Sequence, residues 1–455
     1  MTSRWLRRCV LLLFCVLGSL AFAIDVPIKY CLHKGETEEF QPYGGREFNK
    51  MTSCPEGKWK LPELKSKQPV YAWVELGEKK RLLILDCKSP NSAFYDLIYF
   101  DNNGNSDLTD EKAWEGQAVG QAQFYNGNFP ALDTAIQIGN SSLPYRFSVQ
   151  CYYYAPDPRV TRNVIKDGLP AEEFQGNLRF RLSAQCYYAG DFTLEGKRYK
   201  FMLGDSNGNG RFNDRADPMT SGDPNAEFQT FYGNCDDLYL TGYGDKFDYT
   251  DQVDLGDLMH LDGKVFRVSI STPDAKTILA PTTDTLISVK LSQPTKQLTI
   301  YTEDKSHCLM AYGADKEIKV PAGKYHLLAY RLLKKDPEGD TWRLGANSTT
   351  LSPWVNADGK SEALIPFGEP ITPVVRIPDW SRQQVESGTG KMVNLELELT
   401  GVGKEIVNDL TRVSGSRTKI RLSSAMGRNN MPKEPTFKIV KTDGEVVASG
   451  SFEYG

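Results

Sequence analysis

The strongest constraint on this chain is a recurring turn. Gly139-Asn140-Ser141 leads to Tyr145-Arg146-Phe147-Ser148-Val149, Glu195-Gly196-Lys197 to Tyr199-Lys200-Phe201-Met202-Leu203, and Asp262-Gly263-Lys264 to Phe266-Arg267-Val268-Ser269-Ile270. A residue that tolerates positive φ, set just before an alternating apolar and polar run, is the signature of a tight β-hairpin. Val70-Tyr71-Ala72-Trp73-Val74, Arg81-Leu82-Leu83-Ile84-Leu85 and Phe94-Tyr95-Asp96-Leu97-Ile98-Tyr99-Phe100 carry the same strand composition. Helical periodicity is scarce. The expected fold class is mainly β, built from tandem antiparallel β domains, and the recurring hairpin suggests two duplicated halves within 24–272.

Two stretches in that region carry chemistry. In Asp205-Ser206-Asn207-Gly208-Asn209-Gly210-Arg211-Phe212-Asn213-Asp214-Arg215-Ala216-Asp217, oxygen-bearing side chains fall on alternate positions. Asp205, Asn207 and Asn209 occupy positions one, three and five of a D-x-[DN]-x-[DN]-G calcium loop, and Gly210 position six. Arg211 would offer its carbonyl at position seven. Ala216 stands at position twelve, where a bidentate Glu is expected, so Asp214 or Asp217 must close the site. Asp101-Asn102-Asn103-Gly104-Asn105-Ser106-Asp107-Leu108-Thr109-Asp110-Glu111-Lys112 repeats the spacing, with Asp101, Asn103, Asn105, Asp107 and Asp110 as candidate ligands. Ca²⁺ takes six to eight oxygens at about 2.3–2.6 Å. The two loops, 101–112 and 205–217, therefore predict two bound calcium ions.

Both loops resemble the EF-hand-type calcium loops of exported bacterial proteins, among them dockerin modules and surface proteins without assigned activity. The resemblance is confined to about a dozen residues at each site. A dockerin sets its two loops about two dozen residues apart on short helices, whereas here they lie 104 positions apart (101 to 205) among strand patterns. The resemblance thus implies the loop chemistry and not the dockerin function.

An acidic tract follows the second loop: Asp236 and Asp237, then Asp245, Asp248, Asp251, Asp254 and Asp257. It reads as a further cation site, as extra ligands folding back on the loop, or as a solvated polar loop with a short helix. The last is the preferred expectation.

Residues 273–284, rich in Thr and Pro, read as a linker to a β-sandwich-like domain over 285–368. There Val320-Pro321-Ala322-Gly323-Lys324-Tyr325 resembles the P-x-G-x-Y corner of transthyretin-like bacterial surface sandwiches, which implies that Gly323 turns the chain and Tyr325 begins a core strand. Over 369–455, Val393-Asn394-Leu395-Glu396-Leu397-Glu398-Leu399 alternates, and a closing hairpin turns at Asp443-Gly444. This last unit resembles an immunoglobulin-type or fibronectin-type sandwich.

Residues 1–23 read as a secretory signal peptide: Arg4, Arg7 and Arg8, an apolar run from Val10 to Leu20, then Ala21-Phe22-Ala23. No later stretch approaches the ~20 apolar residues of a membrane span. The expected localisation is periplasmic, cell-surface or extracellular. The formal charge of −4 becomes more negative without those arginines, which argues against a nucleic-acid partner. Hydrophobic residues at 40% and charged residues at 25% are ordinary for a globular chain, so disorder is not indicated. Export permits disulfides, and among Cys31, Cys54, Cys87, Cys151, Cys186, Cys235 and Cys308 the pairs Cys31 with Cys54 and Cys151 with Cys186 are candidates beside reduced buried thiols.

Four histidines, His33, His260, His307 and His326, lack H-E-x-x-H spacing, and no G-x-S-x-G elbow or P-loop occurs. The expected function is a secreted, non-catalytic calcium-binding β protein in a structural, adhesive or surface-associated role, with a cell-surface or extracellular polysaccharide or protein as partner. The alternative is a calcium-dependent carbohydrate-active hydrolase or carbohydrate-binding protein. Such a hydrolase needs only two carboxylates facing each other, and Tyr152-Tyr153-Tyr154, Tyr187-Tyr188, Trp354 and Trp380 could stack on sugars.

Overall fold

The computed structural model describes residues 23–33, 45–89, 92, 94–121, 124–154, 178–221, 227–247, 251–272, 275–388, 392–414 and 434–452. Residues 1–22, read from sequence as part of a signal peptide, and Asp248 lie outside them. The described residues form a mainly β protein of thirty-four strands with a single helix, Asp379–Glu386.

All three predicted hairpins form. Leu132–Ile138 pairs with Ser141–Tyr154, Cys186–Leu194 with Lys197–Gly204, and Leu258–Leu261 with Lys264–Ser271, all antiparallel. Their turns sit at positive φ: Gly139 at 58°, Glu195 and Gly196 at 49° and 83°, Asp262 and Gly263 at 48° and 76°. Two consecutive left-handed residues match the right-handed twist of the flanking strands.

These hairpins feed a long sheet and two smaller ones. The long sheet begins at Gln252–Asp254 and runs through Asp237–Gly242, Lys197–Gly204, Cys186–Leu194, Ile24–Leu32, Lys276–Pro281, Lys264–Ser271 and Leu258–Leu261. It continues through Cys308–Ala314, Thr295–Thr302, Gly323–Lys335 and Thr341–Asn347 to Ile406–Ser414. Leu258–Leu261 and Cys308–Ala314 are parallel neighbours. A six-stranded sheet is centred on Ser141–Tyr154, and a five-stranded sheet on Val70–Leu76 and Lys79–Asp86.

Residues 276–281, read from sequence as part of a linker, are a strand of the long sheet, paired with Ile24–Leu32 and with Lys264–Ser271. Around this join the sheet is a wall between two cores. Met259, Leu261, Phe266, Val268, Met310 and Tyr312 face the large N-terminal core, while Leu258, Val265, Leu309 and Ala311 face a second one. Alternate residues of a strand point to opposite faces, so a strand buried on both sides is apolar throughout.

The second core is closed by the three-stranded sheet of Glu317–Pro321, Leu286–Leu291 and Ala363–Ile365. The predicted corner is present with its bend one residue earlier, at Ala322, so that Gly323 already opens the strand Gly323–Lys335 that holds Tyr325. Tyr325 is 0% exposed, and its hydroxyl donates to the Pro321 carbonyl at 3.0 Å. In the last unit, Thr372–Arg376, Glu396–Thr400 and Ile406–Ser414 extend the long sheet. The hairpin Thr436–Val440 with Val446–Ser451 faces them across a cleft of about 900 Å³.

Tyr325→Phe leaves the buried Pro321 oxygen without its donor, and unfolding in denaturant is expected to show a loss of about 1–2 kcal/mol. An unchanged midpoint would mean that the corner is held by packing alone.

Candidate metal centre

The loop 205–214 starts where the strand Lys197–Gly204 ends. Asp205 is 2% exposed. Its Oδ2 accepts the Tyr145 hydroxyl at 2.6 Å and the Gly210 N–H at 2.7 Å, and its Oδ1 accepts the Asn209 N–H at 3.1 Å. Asn207 Oδ1 also takes the Asn209 N–H, at 3.2 Å, and Asn209 Oδ1 takes the Arg211 N–H at 2.7 Å. These side-chain-to-backbone bonds close the chain into a ring of turns.

Both amide nitrogens then converge on one carboxylate oxygen. Asn207 Nδ2 donates to Asp214 Oδ2 at 2.9 Å and Asn209 Nδ2 to the same atom at 2.5 Å. Gly210 is required on two counts: its φ is 78°, and a Cβ there would stand 2.8 Å from the Gly77 nitrogen. That nitrogen donates to the Asn209 carbonyl at 2.7 Å, so the loop is seated on the turn of another hairpin. Phe212, 0% exposed, anchors the far side edge-on to Tyr188 and Tyr30, at 5.1 and 5.9 Å between ring centres.

The loop from Asp101 has the same wiring. Asp101 Oδ1 accepts the Asn105 N–H at 3.1 Å, Asn103 Oδ1 accepts it at 2.9 Å, and Asn105 Oδ1 accepts the Asp107 N–H at 2.8 Å. Asn103 and Asn105 Nδ2 again meet on one oxygen, Asp110 Oδ2, at 3.4 and 2.8 Å. Leu108 is 0% exposed in the place of Phe212. The absence of glycine at position six changes nothing in the backbone, because Ser106 adopts φ 66° there and Gly104 adopts 74°, against 64° for Gly208 and 78° for Gly210.

Asp205, Asn207, Asn209 and Asp214 are thus brought together, as are Asp101, Asn103, Asn105 and Asp110. Asp217 is not part of its loop: its side chain is 59% exposed and paired with Lys305 at 2.5 Å. Asp107 turns to Lys60 at 2.7 Å, and that hydrogen bond pulls its carboxyl down to about 2. The Arg211 guanidinium donates to the Gly77 carbonyl at 3.3 Å, a bond that does not involve the backbone carbonyl expected at position seven.

Asp236 joins the loop, as the acidic tract's reading as extra ligands folding back on it would have it, against the preferred expectation of a solvated loop. It is 0% exposed, and its two oxygens accept the Ser206 and Asp214 N–H groups at 3.3 and 2.9 Å. Asp237 accepts the Ser206 hydroxyl and Gln252 Nε2. The two ends of the acidic tract are therefore not solvated loop, whereas Asp245 between them is exposed. Asp236, Asp237, Asp251 and Asp257 are buried, and Gln252–Asp254 is a strand. The available signal was an Asp-Asp pair running straight into the apolar Leu238-Tyr239-Leu240.

Burial raises the Asp205 carboxyl to about 6 against the pull of its hydrogen bonds, and it raises Asp236 well above the carboxylate range, helped by the charges of Asp205 and Asp214. Carboxylates this close, out of water, need a proton or a cation between them. Among the described residues no three His, Cys, Asp or Glu side chains form a metal-binding group by themselves. Calcium loops draw also on amide and backbone oxygens. A half-turn of an Asn amide exchanges its oxygen and nitrogen, so turning the two amides would bring three oxygens around a cation at Asp214, at the cost of the bonds that the same oxygens accept from the Asn209 and Arg211 N–H groups.

Two outcomes are expected. Ser106→Gly relieves a left-handed serine, a strain of about 1–2 kcal/mol less the glycine's entropy, for a net gain of about 0.5–1 kcal/mol in denaturant unfolding. In chelator, the native state holds more protons on Asp205 and Asp236 than the unfolded chain does above about pH 4. Stability therefore falls as pH rises from about 4 toward 7. Asp236→Asn should flatten that slope. The same variant separates the effect from buried His260 and His326, whose lowered pKa values act in the opposite sense.

Comparison with protein families, with curated proteins and with solved structures finds no match for this chain.

Proposed function

We propose that this chain is an exported, non-catalytic calcium-binding β protein, whose two loops are ordered by Ca²⁺ so that the surface they shape is fixed for a cell-surface or extracellular partner. The observation that carries this reading is the repeated wiring: one set of hydrogen bonds, on one spacing of Asp and Asn, occurs twice, 104 positions apart (101 to 205), each time with two amides aimed at a closing carboxylate. Asp205, Asn207, Asn209 and Asp214 with Asp236 would hold one ion, and Asp101, Asn103, Asn105 and Asp110 the other. Calcium bound there would supply positive charge to the carboxylates and be coordinated by these oxygens, with no covalent bond made or broken. The side chains themselves support an ordering role, since their oxygens also take the N–H groups of their own loop.

Extracellular calcium modules work at Kd values of about 10⁻⁴–10⁻³ M, and a hundredfold excess over Kd stabilises a fold by about 2.7 kcal/mol for each site. Calorimetric titration of chelator-treated protein with Ca²⁺, with Mg²⁺ as control, tests the reading. Asp205→Ala and Asp101→Ala should each remove one ion and part of the calcium-induced rise in melting temperature. No calcium heat and no shift in melting would reduce both loops to polar turns.

A further inference from the structure

Beside the loop 205–214, two β layers meet across a polar seam. The strand Thr295–Thr302 turns Leu298 and Ile300 into the second core and puts Gln297 and Thr299 on its other face, with Arg331 in register opposite Gln297. Asp237 and Asp254 cover that face as directly opposed residues of neighbouring antiparallel strands. These side chains line a pocket of about 80 Å³, room for two or three bodies the size of water at ~30 Å³ each.

The protein's own bonding accounts for only part of this pocket: Asp237 accepts the Ser206 hydroxyl and Gln252 Nε2, and Asp254 accepts the Cys235 thiol at 3.7 Å. Directly opposed residues on antiparallel neighbours have Cβ atoms about 4.5–5.5 Å apart, and like charges there repel. The guanidinium of Arg331, the nearby cation, donates to the backbone carbonyl and Oε1 of Gln252. Gln297 is 1% exposed, yet neither its amide oxygen nor its nitrogen has a hydrogen-bond partner. Buried amides are almost always bonded, and one left over at both ends marks a place where something else belongs.

We infer that this pocket is a further divalent-cation site, with Asp237 and Asp254 as its anionic ligands, the Gln297 oxygen as a neutral one, and water completing the shell. Two carboxylates against one guanidinium leave a net charge of −1, which a hard cation offsets. An all-oxygen ligand set selects Ca²⁺ or Mg²⁺ over softer metals. The site is separate from the loop: Asp236 bonds the loop backbone, while its neighbour Asp237 lines the pocket. It stands whether or not the loops bind calcium.

Equilibrium dialysis of the whole chain against Ca²⁺, counting ions per protein, tests it beside melting in chelator. Asp254→Asn keeps the shape and removes one of the repelling charges. It should bind one ion fewer than the parent and melt in chelator no lower than the parent. Gln297→Met, which keeps the volume and loses the ligand, should weaken that ion about tenfold. Asp205→Ala should leave the pocket ion in place. An unchanged ion count and affinity in both pocket variants would mean that water alone fills the pocket, and would overturn the inference. A chain that binds nothing at the loops but loses an ion on Asp254→Asn would fail the loop reading and keep this one.

Discussion

The bond between the Tyr145 hydroxyl and the Asp205 carboxylate is the interaction on which the N-terminal region depends. Tyr145 belongs to the six-stranded sheet and Asp205 leaves the end of the long one, so this buried contact of 2.6 Å joins sheet to sheet, beside the bond from the Tyr30 hydroxyl to the Pro144 carbonyl. Around it four distant segments meet: the Gly77 turn under Asn209, Tyr145, the loop itself, and Asp236. A buried carboxylate with fewer donors would be expelled or protonated. Its bonds therefore define where the strand Lys197–Gly204 must end and how the hairpin turn at Gly77 must approach.

The second loop shows what that arrangement can spare. Asp101 is as buried as Asp205, and its loop repeats the turns without a tyrosine donor or an incoming aspartate. In their place Glu111 accepts the Asn103 N–H at 2.9 Å, and Arg81 donates to the Asn102 carbonyl at 2.7 Å. Asn103, Asn105 and Asp110 stay exposed. One local spacing thus gives the same backbone ring in two surroundings. What differs is the number of carboxylates forced together, and with it the need for positive charge.

That division follows what the sequence can and cannot tell. The hairpins at Glu195-Gly196 and Asp262-Gly263 were legible because a two-residue turn is decided by its own residues, and Phe212 and Leu108 because the loop template places an apolar anchor there. Asp236 could be named as one of several acids able to fold back on the loop, but not singled out or preferred. It arrives from 31 positions on (205 to 236) through the pairing of Asp237–Gly242 with Lys197–Gly204, and pairing across a sheet leaves no mark at one residue. Lys276–Pro281 was misread for the same reason. Its Thr and Pro neighbours look like a linker, while its partner strand, Ile24–Leu32, lies at the other end of the region.

Period two also explains how one dipeptide can serve two places. Neighbouring residues entering a strand point to opposite sides. Asp236 can therefore bond the loop that precedes its strand, while Asp237 looks across the seam toward Gln297 and Arg331. The Ser206 N–H goes to Asp236 and its hydroxyl to Asp237. The loop and the seam thus share one serine as a hydrogen-bond donor. The long sheet joins the seam to the second core, because the face that holds Gln297 is the reverse of the strand that holds Leu298 and Ile300 there. The loop and the join between the two cores therefore touch through Ser206, while each keeps its own set of side chains.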